Sequence, residues 1–341
     1  MKLPAVFERY RAEIDRTLKS VLAKRRLPLY DMMRYHFGWL DEKGNTLPNS
    51  AGKAVRPTLC LLACEAVGGD YSQALPAAAA IELVHNFSLI HDDIQDDDRE
   101  RRHRPTVWSL WGKPQAINAG TAMRVLADLT LPLLSKNGAS LEKQLRVQYL
   151  IDDATLRLVE GQYLDISYES QFEIKVPDYL RMIEGKTAAL IACALEVGAL
   201  VGTDDEGMIH SFRDIGHNLG LAFQIRDDIL GIWGNEAETG KPLGSDISRR
   251  KKTLPIVYAL EQAGNRLRQE LVNIYRRGVV TDGDLATVLR ILEEVDARNQ
   301  AQKMVEQYCR QALQSISKLA LVPSARRDLE EVINFLAERS F

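Results

Sequence analysis

Five aspartates occupy seven consecutive positions, from 92 to 98, directly after an apolar stretch of the sequence. On an α-helix, Asp92 and Asp96 lie on the same face because they are four residues apart. Their carboxylates repel each other, and a positive charge between them relieves that repulsion. Mg²⁺ fits this role, since it prefers oxygen ligands and usually completes its coordination shell with water and substrate phosphates. The alternative interpretation is an acidic helix end that is solvated by water.

A second acidic pair, Asp227 and Asp228, also comes at the end of an apolar segment with a helical pattern. Two helices that carry such pairs can face each other across a bundle. Lysines and arginines stand around the acidic pairs, namely Lys53, Arg56, Arg101, Arg102, Lys186, Lys241 and Lys251. Because carboxylates suit a divalent metal and cations suit phosphate, the combination predicts a diphosphate site.

The charge of the whole chain is nearly balanced, with 44 lysines and arginines against 47 aspartates and glutamates. No basic field therefore indicates a nucleic-acid partner. The cysteines lack the spacing of a zinc site or a disulfide framework, which indicates a reducing compartment. The first residues lack the apolar core of a signal peptide, and the most apolar stretch, 187–203, contains Glu196. We therefore expect a cytoplasmic protein without an integral membrane segment.

Apolar residues recur at intervals of three and four along most of the chain, a period that predicts amphipathic helices. The ranges with this pattern are 6–22, 59–67, 74–89, 122–134, 141–166, 178–201, 208–231, 254–262, 267–276, 282–294, 297–316 and 325–337. Alternating strand patterns are nearly absent, and no repeat or linker divides the sequence. We predict one all-α domain over residues 1–341, a single large helical bundle around a central cavity. The polar stretch 234–252 is longer than an ordinary connection, so we interpret it as a flap over phosphate.

Six short motifs follow one another between about Lys53 and Pro255. They read Gly-Lys-x-x-Arg-Pro, Leu-Ile-His-Asp-Asp-x-x-Asp, Arg-Arg, Gly-Gln-x-x-Asp, Lys-Thr and Phe-Gln-x-x-Asp-Asp. In these motifs the chain resembles the trans-isoprenyl diphosphate synthases, also called polyprenyl synthetases. The resemblance implies the all-α isoprenoid synthase fold and a homodimer. It also implies a Mg²⁺-dependent reaction between isopentenyl diphosphate and an allylic diphosphate, with three Mg²⁺ ions when substrate is bound.

The resemblance also implies roles for individual residues. Asp92, Asp96 and Asp227 would bind Mg²⁺, with Asp93 as their neighbour, and Arg101 would contact the allylic diphosphate. The residues implied to hold isopentenyl diphosphate are Lys53, Arg56, His85 and Arg102, and those implied to reach the leaving diphosphate are Lys186, Lys241 and Lys251. The residues implied to act in catalysis are Asp92, Lys186, Thr187, Gln224 and Asp227, where Thr187 and Gln224 supply dipoles beside an allylic cation.

The chemistry of such a reaction explains these residue types. Ionisation of an allylic diphosphate leaves negative charge on the departing group, and metal ions and cationic side chains stabilise that charge. The allylic cation must be shielded from water by an apolar cavity until the double bond of isopentenyl diphosphate attacks it. The reaction therefore requires no nucleophilic side chain.

Four positions depart from the family pattern. Gly231 stands where the second acidic motif normally has a third carboxylate, and His103 replaces a glycine that often follows the paired arginines. Thr121 stands where many members have Asp, and Trp108 stands where His is frequent. The glycine leaves open a regulatory subunit that keeps the fold and acts through a catalytic partner. A class I terpene cyclase would share the bundle and the first acidic motif, but it would not need a pocket for isopentenyl diphosphate.

Product length is predicted from the helix that ends in the first acidic motif. One helical turn of about 5.4 Å matches roughly one isoprene unit, so the first large side chain behind Asp92 would set the floor of the cavity. Phe87 and Ser88 stand five and four residues before Asp92, and Val84 lies one turn further. This arrangement resembles short-chain synthases that make geranylgeranyl diphosphate, with farnesyl diphosphate as the alternative. The competing interpretation of Phe87 is ordinary core packing.

Overall fold

A computed structural model describes residues 4–47, 52–234 and 242–338 of the chain. Its helices are α1 (Val6–Arg9), α2 (Arg11–Leu22), α3 (Pro28–His36), α4 (Val55–Ala66), α5 (Tyr71–Gln95), α6 (Val107–Trp111), α7 (Lys113–Thr130), α8 (Leu133–Lys136), α9 (Leu141–Tyr168), α10 (Val176–Ile183), α11 (Ala189–Gly202), α12 (Glu206–Trp233), α13 (Ser245–Ser248), α14 (Leu254–Gln262), α15 (Asn265–Arg276), α16 (Asp282–Glu294), α17 (Ala297–Ser317) and α18 (Pro323–Glu338). Two short antiparallel strands, β1 (Glu100–Arg101) and β2 (Arg104–Pro105), follow α5. The prediction of an all-α fold is confirmed.

Helix α11 lies at the centre of the bundle. Apart from Glu196 it is apolar on all sides, and every residue from 189 to 201 is buried, as expected for a helix enclosed by others. Helices α4, α9 and α12 pack around it. Glycines permit the closest approach, because a Cβ atom added at Gly216 of α12 would lie 2.6 Å from the Cα atom of Ala192.

One segment, Val176–Gly202, is long and apolar enough to cross a membrane by length and composition. It combines α10, a short π-helical turn and α11. Of its most apolar window, 83 % is buried inside the protein. Since the core helix of a soluble protein has the same composition, the segment fits its central place in the bundle.

The long helices that carry the acidic motifs begin at side-chain caps. The Asp70 carboxylate accepts a hydrogen bond from the Ser72 amide at the start of α5. Asp205 caps the Met208 amide in the same way at the start of α12. Such caps satisfy amides that have no partner within the helix and fix where the helix begins. Each helix then runs to its acidic pair near the opposite end.

A second apolar cluster lies beside the main core. It is formed by α14, α15 and α16 with Ile232 of α12 and Ile247 of α13. The cluster attaches residues 242–253 to the end of α12. The prediction of one domain over residues 1–341 stays a prediction.

Four predictions of helices were wrong. The predicted range 122–134 crosses the break between α7, which already begins at Lys113, and α8, because Pro132 has no amide hydrogen to continue the helix. The range 6–22 forms two helices, because the chain breaks at buried Tyr10, whose hydroxyl bonds to Glu65. Helix α3 had no predicted counterpart, since its short apolar face is recognisable only once it packs on α7. The range 178–201 is interrupted by a π-helical turn, Glu184–Ala188. In the predicted flap, α13 is the described helix, and residues 235–241 lie outside the described part of the chain.

Candidate active site

A cavity of about 930 Å³ opens between the ends of α5, α9, α10 and α12 and residues 242–253. Most of the predicted site residues line it. They are Lys53, Asp92, Asp96, Arg101, Arg102, Lys186, Gln224, Asp227 and Lys251. The predicted residues that the structure describes away from its walls are Val84, His85, Phe87, Ser88, Arg56 and Thr187. Lys241 falls outside the described residues.

In each acidic pair the two aspartates have different surroundings. In the first pair, Asp92 faces the cavity, whereas Asp93 is 1 % exposed and accepts a bond of 2.8 Å from Arg101 Nε. In the second pair, both residues border the cavity, but Asp228 is only 4 % exposed and its carboxylate accepts three hydrogen bonds within the protein. The second aspartate of each pair therefore anchors structure, whereas the first lies in the wall of the cavity.

Asp228 joins three elements of the fold. Its carboxylate accepts hydrogen bonds from the Tyr179 hydroxyl of α10, from Gln224 Nε2 at 3.1 Å and from the Leu254 amide at 2.8 Å. The last bond fastens the first turn of α14 to α12. The Thr187 hydroxyl donates to Gln224 Oε1 at 2.7 Å, so the same network orients the Gln224 amide beside the cavity.

The cavity carries an excess of negative charge at the acidic motifs. Burial raises the pKa of Asp92 to about 6, and the neighbouring Asp96 charge adds to this effect while Lys186 opposes it. Among the described residues, neither Asp92 nor Asp96 has a side-chain hydrogen bond or an ion pair, which leaves their oxygens available. Bringing a cation to these carboxylates would favour their charged form.

The donors available for a metal are carboxylate oxygens, which Mg²⁺ prefers. No group of three or more His, Cys, Asp or Glu side chains in the described ranges converges into a complete metal centre. Water and substrate phosphate would therefore complete the coordination shell, as is usual for Mg²⁺. The residues fit this ion.

Lys186 projects from the π-helical turn that interrupts the apolar segment. The turn packs directly on α9, since a Cβ atom added at Gly161 would lie 2.1 Å from the Lys186 amide nitrogen. Such turns often occur at functional sites. The Lys186 ammonium donates to the Asp165 carboxylate, which also lines the cavity. Sequence reasoning gave Asp165 no role, although the motif Gly-Gln-x-x-Asp contains it.

A buried polar cluster lies behind the cavity. Arg56 Nη1 is 3.2 Å from His85 Nε2, and their proposed role in one binding pocket stays a prediction. Burial and the Arg56 charge lower the pKa of His85 well below its usual value, so this imidazole is neutral. Arg56 Nε and Glu82 Oε2 are buried without hydrogen-bond partners among the described residues. The half-buried Glu82, which sequence reasoning missed, acts on Arg56 electrostatically, since its charge raises the pKa of Arg56 against the effect of burial.

The polyprenyl synthetase family model matches residues 38–292. The chain belongs to the polyprenyl synthetase family.

Relatives of this synthetase match nearly its whole length. It is 38 % identical over 329 residues to (2E,6E)-farnesyl diphosphate synthase of Mycobacterium tuberculosis, with 96 % of this chain and 90 % of that protein covered. It is 40 % identical over 313 residues to geranylgeranyl diphosphate synthase of the same organism, with 92 % and 88 % covered. A polyprenyl synthetase structure from Streptomyces coelicolor A3(2) superposes with a TM-score of 0.91 at 36 % identity, covering 97 % and 98 % of the two chains. The likeness therefore extends over the whole fold.

The hairpin after the first motif explains one departure of this synthetase from the family pattern. Arg102 and His103 have φ angles of 54° and 59° and form the turn between β1 and β2. Such a turn favours glycine at its second position. His103 therefore holds a left-handed conformation at a cost of about 1 kcal/mol. The hairpin keeps Arg101 beside Asp93 and Arg102 at the cavity wall.

An ion pair crosses the mouth of the cavity in this synthetase. Arg249 Nη1 lies 2.9 Å from Asp98 Oδ1, which joins the end of the aspartate run to residues 242–253. Nearby, the Lys252 ammonium donates to the carbonyls of Tyr168 at 2.9 Å and Glu169 at 2.8 Å at the end of α9. A cation at this helix end also interacts favourably with the helix dipole. The described part of the predicted flap, residues 242–252, is thus attached both to the aspartate run and to the end of α9.

Proposed function

We propose that this polyprenyl synthetase, a trans-prenyltransferase, joins isopentenyl diphosphate to an allylic diphosphate in a Mg²⁺-dependent reaction. The allylic substrate would be dimethylallyl, geranyl or farnesyl diphosphate. The product would be a short-chain trans-prenyl diphosphate, with geranylgeranyl diphosphate as the main product and farnesyl diphosphate as the alternative. The observation that carries the proposal is the cavity in which Asp92 and Asp96 of α5 meet Asp227 of α12 beside Lys186. The names of the two mycobacterial relatives support both products.

The residues around the cavity would share the work of ionisation. When bound, Mg²⁺ would supply positive charge that stabilises the departing diphosphate. Asp92 and Asp96 would hold it from one side and Asp227 from the other. Lys186 and Arg101, each fixed by an ion pair to a carboxylate, would neutralise diphosphate oxygens. Because these cations are already oriented, little reorganisation is needed as the charge develops.

The remaining residues would serve the acceptor substrate and the allylic cation. The Thr187 hydroxyl orients the Gln224 amide, whose dipole would face the cation. The residues proposed to hold the diphosphate of isopentenyl diphosphate are Lys53, Arg56, His85 and Arg102. Lys241 and Lys251 would reach the leaving diphosphate from the flap. A terpene cyclase would not need the residues proposed to hold isopentenyl diphosphate.

The test is a product assay with the purified chain alone. With isopentenyl diphosphate, farnesyl diphosphate and Mg²⁺, we expect one discrete prenyl diphosphate, and chelation of the metal should abolish its formation. Release of a hydrocarbon without consumption of isopentenyl diphosphate would favour a cyclase. No turnover by the chain alone, with activation of a separate catalytic subunit, would favour a regulatory subunit.

Phe87→Ala is expected to lengthen the product by about one isoprene unit, because one helical turn matches one such unit. Phe87 is 7 % exposed and packs edge-on against the His91 ring, with 5.6 Å between ring centroids. It lies close behind the acidic motif on α5, with Ser88 beside it. Chromatography of the products measures the change.

Val84→Ala is the matched control for this prediction. Val84 lies one turn further from Asp92 on the same helix and is fully buried. If Phe87 is the floor, shortening Val84 alone leaves product length unchanged. An unchanged product from Phe87→Ala would show that this phenylalanine is ordinary core packing.

We propose that the synthetase is a homodimer that pairs through α7 and α9. These helices expose large apolar side chains, with 41–71 % of their surface accessible. They are Ile117, Val125, Leu129, Leu141, Leu145, Tyr149, Leu156, Val159, Tyr163 and Ile166. On α9 most of them recur at intervals of three, four and seven, which places them along one stripe of the helix. A contiguous apolar stripe of this length indicates a protein partner, and a second copy is the simplest one.

Leu145→Glu combined with Leu156→Glu should convert the dimer to a monomer. Both residues lie on the stripe, and burying two carboxylates in the interface is strongly unfavourable. Light scattering should report a mass near 38.3 kDa, half that of the unchanged protein. Val279→Glu is the control, since Val279 is 75 % exposed outside α7 and α9. A monomeric unchanged protein, or a dimeric double variant, would contradict the proposal.

We also propose a cytoplasmic location. Cys60, Cys64, Cys193 and Cys309 are all buried with free thiols. Thiols without disulfide bonds are typical of proteins in reducing compartments.

A further inference from the structure

We propose that Arg11 of helix α2 is a positioning residue for isopentenyl diphosphate, because it holds the loop that carries Lys53. The inference rests on the proposed function, which assigns Lys53 to that substrate. It goes further, since Arg11 lies outside all six sequence motifs. The residues proposed to hold isopentenyl diphosphate, here called the acceptor pocket, are Lys53, Arg56, His85 and Arg102.

The first support is the fixed position of α2. Ile14, Leu18 and Leu22 recur at intervals of four and are buried, and α2 packs against α5, the helix of the first acidic motif. Arg11 stands on the first turn of α2, and its Nε atom lies 3.5 Å from Asp15 Oδ2. This ion pair uses Nε and helps to orient the guanidinium, while Nη1 makes a separate bond.

The second support is the bond between Arg11 and the loop before α4. Arg11 Nη1 donates to the carbonyl of Gly52, the residue directly before Lys53. Lys53 itself lines the cavity. The loop also meets the hairpin, since a Cβ atom added at Gly52 would lie 2.7 Å from Arg102 Nη1. The residue before Lys53 therefore contacts two guanidinium groups, one from α2 and one from the acceptor pocket.

The third support is the backbone around Lys53, which has disfavoured angles on both sides. Gly52 has a φ angle of 110°, which favours glycine, and Ala54 has a left-handed φ of 47°. Such angles persist only where the surrounding structure imposes them. The Ala54 carbonyl accepts a bond of 3.1 Å from the Thr58 amide in α4. On the other side of Lys53, the bond from Arg11 to the Gly52 carbonyl has this function.

The charge of Arg11 also acts on the acceptor pocket. Burial lowers the pKa of Arg102, and the charge of Arg11 adds to this effect. Burial raises the pKa of Glu82, and Arg11 is one of the cations that oppose this rise. The two arginines repel each other, and a diphosphate bound beside them relieves that repulsion. Arg11 therefore favours an anionic ligand next to Lys53 by its charge as well as by its bond to the loop.

Calorimetric binding of isopentenyl diphosphate, without Mg²⁺ and without an allylic substrate, tests the inference. Under these conditions no reaction occurs, and the acidic motifs cannot contribute through a metal. Arg11→Ala removes the bond to Gly52 and should raise the Kd about 10- to 30-fold, as expected when a charged hydrogen-bond donor is lost. Arg11→Lys keeps the charge and a donor, so its Kd should stay within about three-fold of that of the unchanged protein.

Steady-state kinetics with Mg²⁺ separate positioning from a general loss of structure. Arg11→Ala should raise the KM for isopentenyl diphosphate about ten-fold, while kcat and the KM for farnesyl diphosphate change less than about two-fold. A purely structural role would change all three quantities. Arg16→Ala is the matched control, because Arg16 is an exposed arginine on the same helix. It should change neither binding nor turnover.

Three outcomes would overturn the inference alone. The first is binding of isopentenyl diphosphate by Arg11→Ala that equals that of the unchanged protein. The second is an equal rise in the KM for both substrates in Arg11→Ala. The third is an Arg11→Lys variant that binds no better than Arg11→Ala. If the unchanged protein neither binds nor consumes isopentenyl diphosphate, the proposed function itself fails.

Discussion

Asp92→Asn is expected to lower kcat about a thousand-fold while leaving the melting temperature of the protein unchanged or slightly higher. The loss corresponds to about 4 kcal/mol of transition-state stabilisation, as expected when a metal loses a ligand at a developing charge. The charge on Asp92 does not stabilise the folded protein, because burial raises the pKa of this carboxyl to about 6 and Asp96 repels it. Removing the charge therefore costs no stability. Steady-state rates at saturating Mg²⁺ and thermal unfolding without the metal measure the two effects.

Asp97→Asn is the matched control within the same run of aspartates. Asp97 is exposed and pairs with Lys113 at the surface, outside the cavity lining. Exposed ion pairs contribute at most about 1 kcal/mol, so this variant should keep kcat within about two-fold. Equal losses in the two variants would mean that the run acts through its total charge. Retention of a tenth of the activity by Asp92→Asn would remove Asp92 from the proposed metal site.

Much of the fold could be predicted from the sequence because long helices carry a strong periodic signal. The predicted range 254–262 and the predicted range 282–294 match α14 and α16 as the structure has them. Short α3 and the break at Tyr10 could not be predicted in this way. Both depend on tertiary contacts, with α7 and with Glu65, that outweigh local preference.

Which residues border the candidate site was easier to predict than the direction in which their side chains point. Residue type and spacing placed Asp92 and Asp227 in one cavity, and the structure describes both there. Spacing alone could not show that Asp93 and Asp228 point into the protein. Neighbours on a helix differ by about 100° in direction, and the packing of α5 and α12 decides which of them is buried.

Contacts between segments that are far apart in the chain could not be predicted from the sequence either, because they also depend on how the helices pack. Asp98 and Arg249 are separated by most of the bundle along the chain, yet they form an ion pair across the cavity mouth. Gly231 was interpreted as a missing carboxylate, whereas the structure shows the side chain of Asp246 against it. In both cases the partner comes from residues 242–253, which the second apolar cluster attaches to the end of α12 through Ile247.

Asp228→Asn is expected to lower the free energy of unfolding by about 2–3 kcal/mol, because it disrupts a buried acceptor of three hydrogen bonds. An amide has one acceptor oxygen, so its NH₂ group would face either Gln224 Nε2 or the two donors that share Oδ2, the Tyr179 hydroxyl and the Leu254 amide. The melting temperature should fall by about 5 °C, since each kcal/mol shifts it by a few degrees in a protein of this size. Differential scanning calorimetry without Mg²⁺ measures the loss.

Asp227→Asn provides the comparison that separates anchoring from metal binding. Its side chain lines the cavity, so we expect turnover to fall about a thousand-fold, with a smaller loss of melting temperature than in Asp228→Asn. Asp228→Asn should show the opposite balance, with lower stability and with activity that recovers partly as the assay temperature is reduced. We expect that recovery because the bond between the Leu254 amide and Asp228 serves to hold α14 in place. At lower temperature the packing of α14 alone can keep it in its native position. If both variants lose activity and stability equally, the two aspartates act as one unit, and the division of each acidic pair into ligand and anchor is wrong.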